Sequence, residues 1–489
     1  MSQTTIRTRF APSPTGFMHV GNLRTALYAY LTARSMGGTF ILRIEDTDQE
    51  RQVEGAIERI YDTLHTCGLH WDEGPDIGGP FAPYVQSERK DQYHPVAEQL
   101  VAEGKAYRCF CSEERLQRLK STSGSDWSGY DRHCRNLNAD EVQARMEAGG
   151  AYVIRQKMPL EGETRFVDEV FGEITVPNTE LEDQILLKSD GFPTYNFANV
   201  VDDHAMGITH VIRGSEYLSS TPKYNLLYEA LGYPLPTYIH LPLINGTDGQ
   251  KLSKRHGATS FQDLMREGYL PEAVVNYLAL LGWSPGTEQE VFSMAELETA
   301  FSIKQISKSP AVFDYKKLRW FNTEYFKRMS TEDFTELCLP YFEEALPDRD
   351  YDWTFLASLL QPRLEVLTDI DEKVEVLKAM PEDYELELFT QKKQKSTAES
   401  SLTQLELLRP RLEALTREDW TRDNLQQLLV DQAAEQEVKN GVVMWPARIA
   451  VSGLKVTPGG AAEILYLLGR DEALTRYDRS LERLRSSLS

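Results

Sequence analysis

No stretch of this chain approaches the ~20 consecutive apolar residues that a membrane span requires, and its polar N-terminus lacks a signal-peptide pattern. Cysteine is scarce. Five in 489 residues, an odd number, argue against a disulfide framework and for a reducing cytoplasm. Excess positive charge is missing too: the formal net charge is −22, which excludes nucleic-acid binding by bulk charge. A local basic groove on an acidic body remains open. Internal repeats and low-complexity tracts are also absent. What is present, 41% hydrophobic and 26% charged residues, is the composition of a globular protein long enough for several domains.

The stretch from Phe10 to Asn22 organises the rest. Before it, Ile6-Arg7-Thr8-Arg9-Phe10 alternates apolar and charged side chains and predicts a short strand. After it, Leu23, Ala26, Leu27, Tyr30 and Leu31 recur at helical spacing, Gly37-Gly38 supplies a stop, and Phe40–Ile44 predicts a second strand. This is the size of a βαβ unit. Its turn, Ala11-Pro12-Ser13-Pro14-Thr15-Gly16, feeds a helix N-terminus, where free N–H groups and the helix dipole favour phosphate. His19 adds a donor, and Gly16 and Gly21 permit close approach. Gly16-x4-Gly21 mimics a phosphate-binding P-loop, yet Asn22 stands where that motif needs Lys and Gly-x-Gly-x-x-Gly is absent. Taken alone, the turn fits an ordinary βα connection equally well.

The second strand ends in Arg43-Ile44-Glu45-Asp46-Thr47-Asp48. Asp48 is expected to cap a helix carrying Val53, Ala56, Ile57 and Ile60, leaving Glu45 freer for a ligand. A Gly/Pro-dense turn at 72–83 suggests a boundary. Beyond it lie a helix around Gln92–Glu103, a Cys-rich stretch and strand-like runs at Ala151–Lys157 and Glu173–Val176. Thr194–His204 and His210–Gly214 both read as short buried strands. After an apolar run at Tyr238–Ile244 comes Lys251-Leu252-Ser253-Lys254-Arg255-His256, which reads either as an anion-binding loop or as a solvated basic one. From about residue 325 strand signals vanish. Leu402, Leu405, Leu408, Leu412 and Leu415, then Leu425, Leu428 and Leu429, then Ile464, Leu465 and Leu468 keep helical spacing, and Lys392-Lys393-Gln394-Lys395 reads as a polar helix face.

The turn with His19-Val20-Gly21-Asn22, the Arg43–Asp48 strand end and Lys251–Arg255 occur in that order. On this ordered set the chain resembles the class I aminoacyl-tRNA synthetases, and within them the bacterial-type glutamyl-tRNA synthetases, over essentially its whole length. The resemblance implies an α/β fold: a Rossmann-like catalytic core in two halves (1–84 and 191–245), an inserted acceptor-binding domain (85–190), a stem-contact domain (246–325) and an all-α anticodon-binding region (326–489). It implies ATP-dependent attachment of L-glutamate to tRNA(Glu) through a glutamyl-adenylate, with Mg2+ accompanying ATP and adenylation requiring bound tRNA. His19, Gly21, Asn22, Glu216, Lys251, Ser253 and Lys254 are the implied ATP-site residues. For glutamate, Arg9, Tyr195 and Asn199 are implied at the side-chain carboxylate, Arg213 at the α-carboxylate, Glu45 and Ser13 at the ammonium, and Ala11 nearby. Arg suits carboxylates because its fork binds two oxygens at once.

Cys109-Phe110-Cys111 with Cys134 suggests a structural zinc site, one ligand short, or else inert free thiols. Relatives resemble a pattern with His two residues after the third Cys, where this chain has Asn136. Tyr130 matches a ligand of some relatives, and His133 is the other candidate. Pro362-Arg363 matches a position that reads the anticodon's third base, which implies a glutamate-only enzyme rather than one that also charges tRNA(Gln). A cytoplasmic monomer without membrane partners is expected. Glutamine–tRNA ligases share the core but have a C-terminus resembling β-barrels. A tRNA-independent nucleotidylyltransferase or a truncated base-glutamylating paralogue would not need the helical half, and an inactive scaffold would be expected to have lost His19, Lys251 or Lys254.

Overall fold

The computed structural model describes residues 5–48, 50, 52–123, 129–347 and 349–489. Its strands, in chain order, are β1 (Arg7–Phe10), β2 (Thr39–Leu42), β3 (Ala106–Cys109), β4 (Val153–Gln156), β5 (Glu163–Asp168), β6 (Gly172–Pro177), β7 (Ile185–Leu187), β8 (His210–Gly214) and β9 (Thr237–Leu241). Two residue pairs, Ile244–Asn245 and Ala311–Val312, add a short parallel ladder.

β1, helix α1 (Val20–Ser35) and β2 form the expected βαβ unit, with β1 and β2 parallel and Phe10 opposite Leu42. Leu23, Ala26, Leu27, Tyr30 and Leu31 are all buried, and Gly37, at φ 64°, ends the helix in a conformation that other residues rarely adopt. The Thr209 N–H donates to the Arg7 carbonyl at 3.0 Å and ties β1 to the start of β8. β8 and β9 are parallel, and β5 joins β9 with Asp168 opposite Tyr238, giving the order β6-β5-β9-β8. A separate antiparallel sheet, β3-β4-β7, carries the Cys-rich stretch. The carboxyl ends of β1, β2 and β8 face one region, which in parallel α/β sheets is where ligands bind.

Three local expectations are corrected. Thr194–His204 is a helix, Tyr195–Ala205, not a strand. Phe197, Asn199, Val200, Asp202 and Asp203 are all buried, and a segment buried on every side loses the polar face that would reveal its period. Asp48 is not the cap of the helix that carries Ala56, Ile57 and Ile60: that helix spans Ala56–Thr66 behind Gly55, which takes φ 71°. Lys392–Gln394 is a single 3-10 turn, not the face of a helix.

The chain divides into two compact units, one of residues up to Arg266 with Leu270–Leu318, the other of Glu267–Tyr269 with Arg319–Ser489. The described residues of the second unit form helices joined by turns and include no strand. Leu405, Leu408, Leu412, Leu425, Leu429, Ile464, Leu465 and Leu468 all point into its core, as their spacing predicts. Among the described residues no helix is long and apolar enough to cross a membrane.

The helix Tyr195–Ala205 is anchored by one carboxylate. Asp202, fully buried, accepts from Arg89 Nε at 2.7 Å, Tyr93 Oη at 2.8 Å and Gln86 Nε2 at 2.9 Å. Replacing Arg89 by Ala strands that charge, so Arg89→Ala is expected to lower unfolding stability by about 3–5 kcal/mol in urea titrations.

Candidate active site

The turn that opens α1 does not present free amides. The Val20 N–H donates to the Thr259 carbonyl at 2.9 Å, the Gly21 N–H to His19 Nδ1 at 3.1 Å, and the Asn22 N–H to the His19 carbonyl at 2.9 Å. The expected cradle of free N–H groups is therefore spent internally, and the helix contributes its dipole instead. His19 becomes the donor. With Nδ1 accepting from backbone, the neutral ring carries its proton on Nε2. Burial, with the nearby Lys251 charge, holds its pKa below 6.5. Gly21 leaves this geometry room, since a Cβ there would sit 3.3 Å from His19 Nδ1.

His19, Gly21, Asn22, Glu216, Lys251 and Ser253 line one cavity of about 440 Å³, closed on its apolar side by Pro242, Leu243 and Ile244. Arg9, Ala11, Ser13, Glu45, Tyr195 and Arg213 line a second of about 380 Å³. Asn22, Thr25, Gly214 and Glu216 belong to both walls, so the two are neighbours. Gly214 keeps the shared wall thin: a Cβ there would collide with the Glu216 carboxylate. Asn199 lies behind Glu45 instead of on the wall, its Nδ2 donating to Glu45 Oε1 at 3.3 Å.

Charge placement in the second cavity is specific. Arg9 Nε pairs with Asp203 at 3.1 Å; Arg43 pairs with Asp203 at 2.8 Å and with Glu45 Oε1 at 2.9 Å, all four side chains buried. Burial raises the Glu45 pKa against the pull of Arg43 and Arg9. Its second oxygen, Oε2, is buried with no hydrogen-bond donor. Arg213 is the converse. It is only 5% exposed, and its nitrogens meet neutral groups: Nε donates to His240 Nε2 at 3.0 Å and Nη2 to Thr221 Oγ1 at 2.8 Å, over the ring of Tyr224. One cavity thus holds a carboxylate oxygen lacking a donor and a cation lacking a carboxylate, which is the complement of a zwitterion.

In the basic loop, Asp248 accepts from His256 Nε2 at 3.1 Å and from Arg255 Nη2 at 3.4 Å, so these two side chains are engaged within the loop. Lys251 remains on the cavity wall. Lys254 begins a 3-10 turn, and its side chain lies outside the described residues. Arg363 is exposed on the turn after the helix Trp353–Leu360, in the second unit.

Sequence reasoning missed Arg43, Asp203, Thr15 and Tyr217. Arg43 was within reach, since residues two apart on an extended segment share a face and Arg43 therefore sits beside Glu45. Asp203 gave a weaker signal, a carboxylate within an apolar run.

The cysteine cluster fits a four-coordinate metal. The Sγ atoms of Cys109, Cys111 and Cys134 lie within 4.8 Å of one another. The Cys111–Cys134 separation of 3.6 Å compares with about 3.8 Å for thiolates at tetrahedral zinc. Tyr130 Oη is 3.2 Å from Cys109 Sγ and 3.6 Å from Cys111 Sγ, whereas His133 is exposed and outside the cluster. Arg155 stacks on Tyr130 at 3.9 Å and Arg115 approaches Cys111, so cations face the sulfurs.

Residues 5–320 match the family "tRNA synthetases class I (E and Q), catalytic domain", and residues 322–481 match "Anticodon binding domain". The chain is similar to the glutamate–tRNA ligase of Clostridium botulinum, 56% identical over 98% of this chain and 99% of that one. It is similar to that of Clostridium novyi, 54% identical over the full length of both. Among solved structures, a glutamate tRNA ligase of Elizabethkingia meningosepticum in complex with its amino acid superposes with a TM-score of 0.86 at 36% identity, covering 98% of this chain and 100% of that one.

The His19 arrangement sets a pH window. A histidine whose folded pKa is depressed contributes its full stability above 6.5, and loses it as pH falls through the interval below. Nitrogen-15 NMR is expected to show His19 Nδ1 unprotonated at pH 7 and a titration midpoint below 6.5; a midpoint above it would contradict the assigned hydrogen bond.

Proposed function

The chain belongs to the class I tRNA synthetases of the glutamate and glutamine group, and we propose that its paired cavities are where glutamate meets ATP. It is a ligase that attaches L-glutamate to tRNA. The observation carrying the site assignment is the pairing of Glu45 Oε2, buried without a donor, with Arg213, buried without a carboxylate, on one wall. Glutamate supplies both missing partners. Its ammonium goes to Glu45 and Ser13, its α-carboxylate to Arg213, and its side-chain carboxylate to Arg9 and Tyr195, with Asn199 acting from behind Glu45.

ATP takes the adjoining cavity, with Mg2+ as counter-ion of its triphosphate. An α-carboxylate oxygen attacks the α-phosphorus as the bond to pyrophosphate breaks. Charge then gathers on phosphate oxygens, and catalysis needs donors already in place, not a nucleophilic side chain. His19 Nε2–H, Lys251 and Lys254 take that role, while Gly21, Asn22, Ser253 and Glu216 shape the nucleotide's bed. The terminal ribose hydroxyl of the tRNA next attacks the acyl carbon and AMP leaves. Glutamate reaches the attacking position only if Arg213 and Glu45 hold its two charged ends together, which is why the amino-acid cavity must abut the nucleotide.

Cys109, Cys111, Cys134 and Tyr130 are assigned to one structural zinc, remote from this chemistry. The names of the relatives lend no support to tRNA(Gln) as a second substrate, and Arg363 is assigned to excluding it. The cytoplasm, where five free cysteines stay reduced, is the compartment this reading requires.

With labelled glutamate and purified tRNA pools, wild type is expected to charge tRNA(Glu) alone, and His19→Ala or Lys254→Ala to lower kcat about 100- to 1,000-fold. Charging of tRNA(Gln) by wild type would refute the specificity, and unchanged kcat would refute the donor roles. Metal analysis is expected to find one zinc per chain, with Cys134→Ala losing both the metal and part of the thermal stability.

A further inference from the structure

Arg213 and His240 are register partners on β8 and β9, and Asp168 closes β5 on the other side of β9. Three adjacent strands therefore carry three polar side chains in a row. Asp168, 1% exposed, accepts four N–H groups: Val170 at 2.9 Å and Phe171 at 2.8 Å on Oδ1, the His240 backbone at 3.0 Å and His240 Nδ1 at 2.7 Å on Oδ2. Against burial, these donors hold the Asp168 pKa below the usual carboxylate value, and an ionised carboxylate can only accept, so the His240 proton is on Nδ1. Nε2 is left as a lone pair, and Arg213 Nε points into it at 3.0 Å. Thr221 Oγ1 is also near Nε2, at 3.2 Å, but has the Tyr217 carbonyl to donate to at 2.9 Å. Neither Asp168 nor His240 reaches a cavity wall.

From this row we infer that His240, with its tautomer set by Asp168, is the positioning residue for Arg213 and so determines how the α-carboxylate of glutamate is held. The inference rests on the reading of Arg213 given above. Of the five guanidinium N–H groups, Nε and one on Nη2 are spent on His240 and Thr221. One N–H on Nη1 and the remaining one on Nη2 form an end-on fork, which matches a carboxylate. A ring turned over would aim its Cε1–H, and a ring protonated on Nε2 an N–H, at the Nε–H of Arg213, and either would rotate that fork away. His240 is wholly buried, and burial, the largest influence on it, favours the neutral ring that this requires.

Aminoacylation kinetics separate the possibilities. In His240→Asn the amide can still donate to Asp168 but cannot reach Arg213. It is expected to raise KM for glutamate about tenfold or more, with KM for ATP within about twofold. His240→Gln, whose amide oxygen reaches the Nε2 position, is expected to recover most of that loss. Arg213→Gln tests the underlying reading: if it leaves KM for glutamate unchanged, the carboxylate assignment itself falls. If Arg213→Gln raises KM and His240→Asn does not, only the positioning role falls. Should His240→Asn fail to fold, nitrogen-15 NMR of the wild-type protein decides: Nδ1 protonated and Nε2 bare supports the row, and a proton on Nε2 overturns it.

Discussion

Arg9, Asp203, Arg43 and Glu45 form an alternating set of charges that is almost completely removed from water. Such a set is tolerable only because each charge touches an opposite one. Taking out a single member leaves its partner uncompensated, at a cost of several kcal/mol. The set draws from three elements, β1, the residues that follow β2, and the helix Tyr195–Ala205, so satisfying the charges also fixes how these elements meet. The proposed glutamate site rests on its asymmetry. Arg43 has two carboxylates to serve and Glu45 has more acceptor capacity than the set consumes, so one oxygen is left for a ligand.

The body of the protein is strongly acidic, yet its ligands are anionic. Local arrangement reconciles the two. Arg9 and Arg213 are held by buried hydrogen bonds at the cavity proposed for glutamate, and Lys251 stands at the one proposed for ATP. Helix α1 adds a dipole, not bare amides, because its first-turn N–H groups are already bonded. Its polar contribution is thereby transferred to one histidine whose remaining proton points outward.

How much of this could be read in the residues alone depends on exposure. The C-terminal helices alternate buried and exposed residues, so their 3.6-residue periodicity shows, while α1, although buried throughout Ala26–Ala33, is legible from its length and its stop at Gly37-Gly38. The helix at 195–205 is buried on all sides and shows no such period, which is why it reads as a strand. For the site, Glu45 shows locally, as a carboxylate at the end of a predicted strand, whereas Arg9 and Arg213 take their roles from resemblance to a family, since nothing in their local spacing distinguishes them from surface charges. Their supports are harder still. Arg9 and Asp203 are 194 positions apart, and the chain offers no local sign that one is the counter-ion of the other. The glycine–proline turn at 72–83 looks like an edge between domains, but Ile44 pairs with Val85 just beyond it and the chain continues within the same unit.

The path of the inserted segment carries a practical lesson for anyone building chimeras. After β3 and β4 the chain leaves the outer sheet, contributes β5 and β6 to the catalytic sheet, and only then returns to the outer sheet as β7. The insertion is thus interleaved with the core and is not hung from it. A graft that exchanged residues 85–190 wholesale would import two foreign strands, β5 and β6, as one side of the host's four-stranded sheet and replace Asp168 along with them. Crossover points flanking β3 and β4 would leave those strands native, while requiring the donor to supply a matching edge for β7.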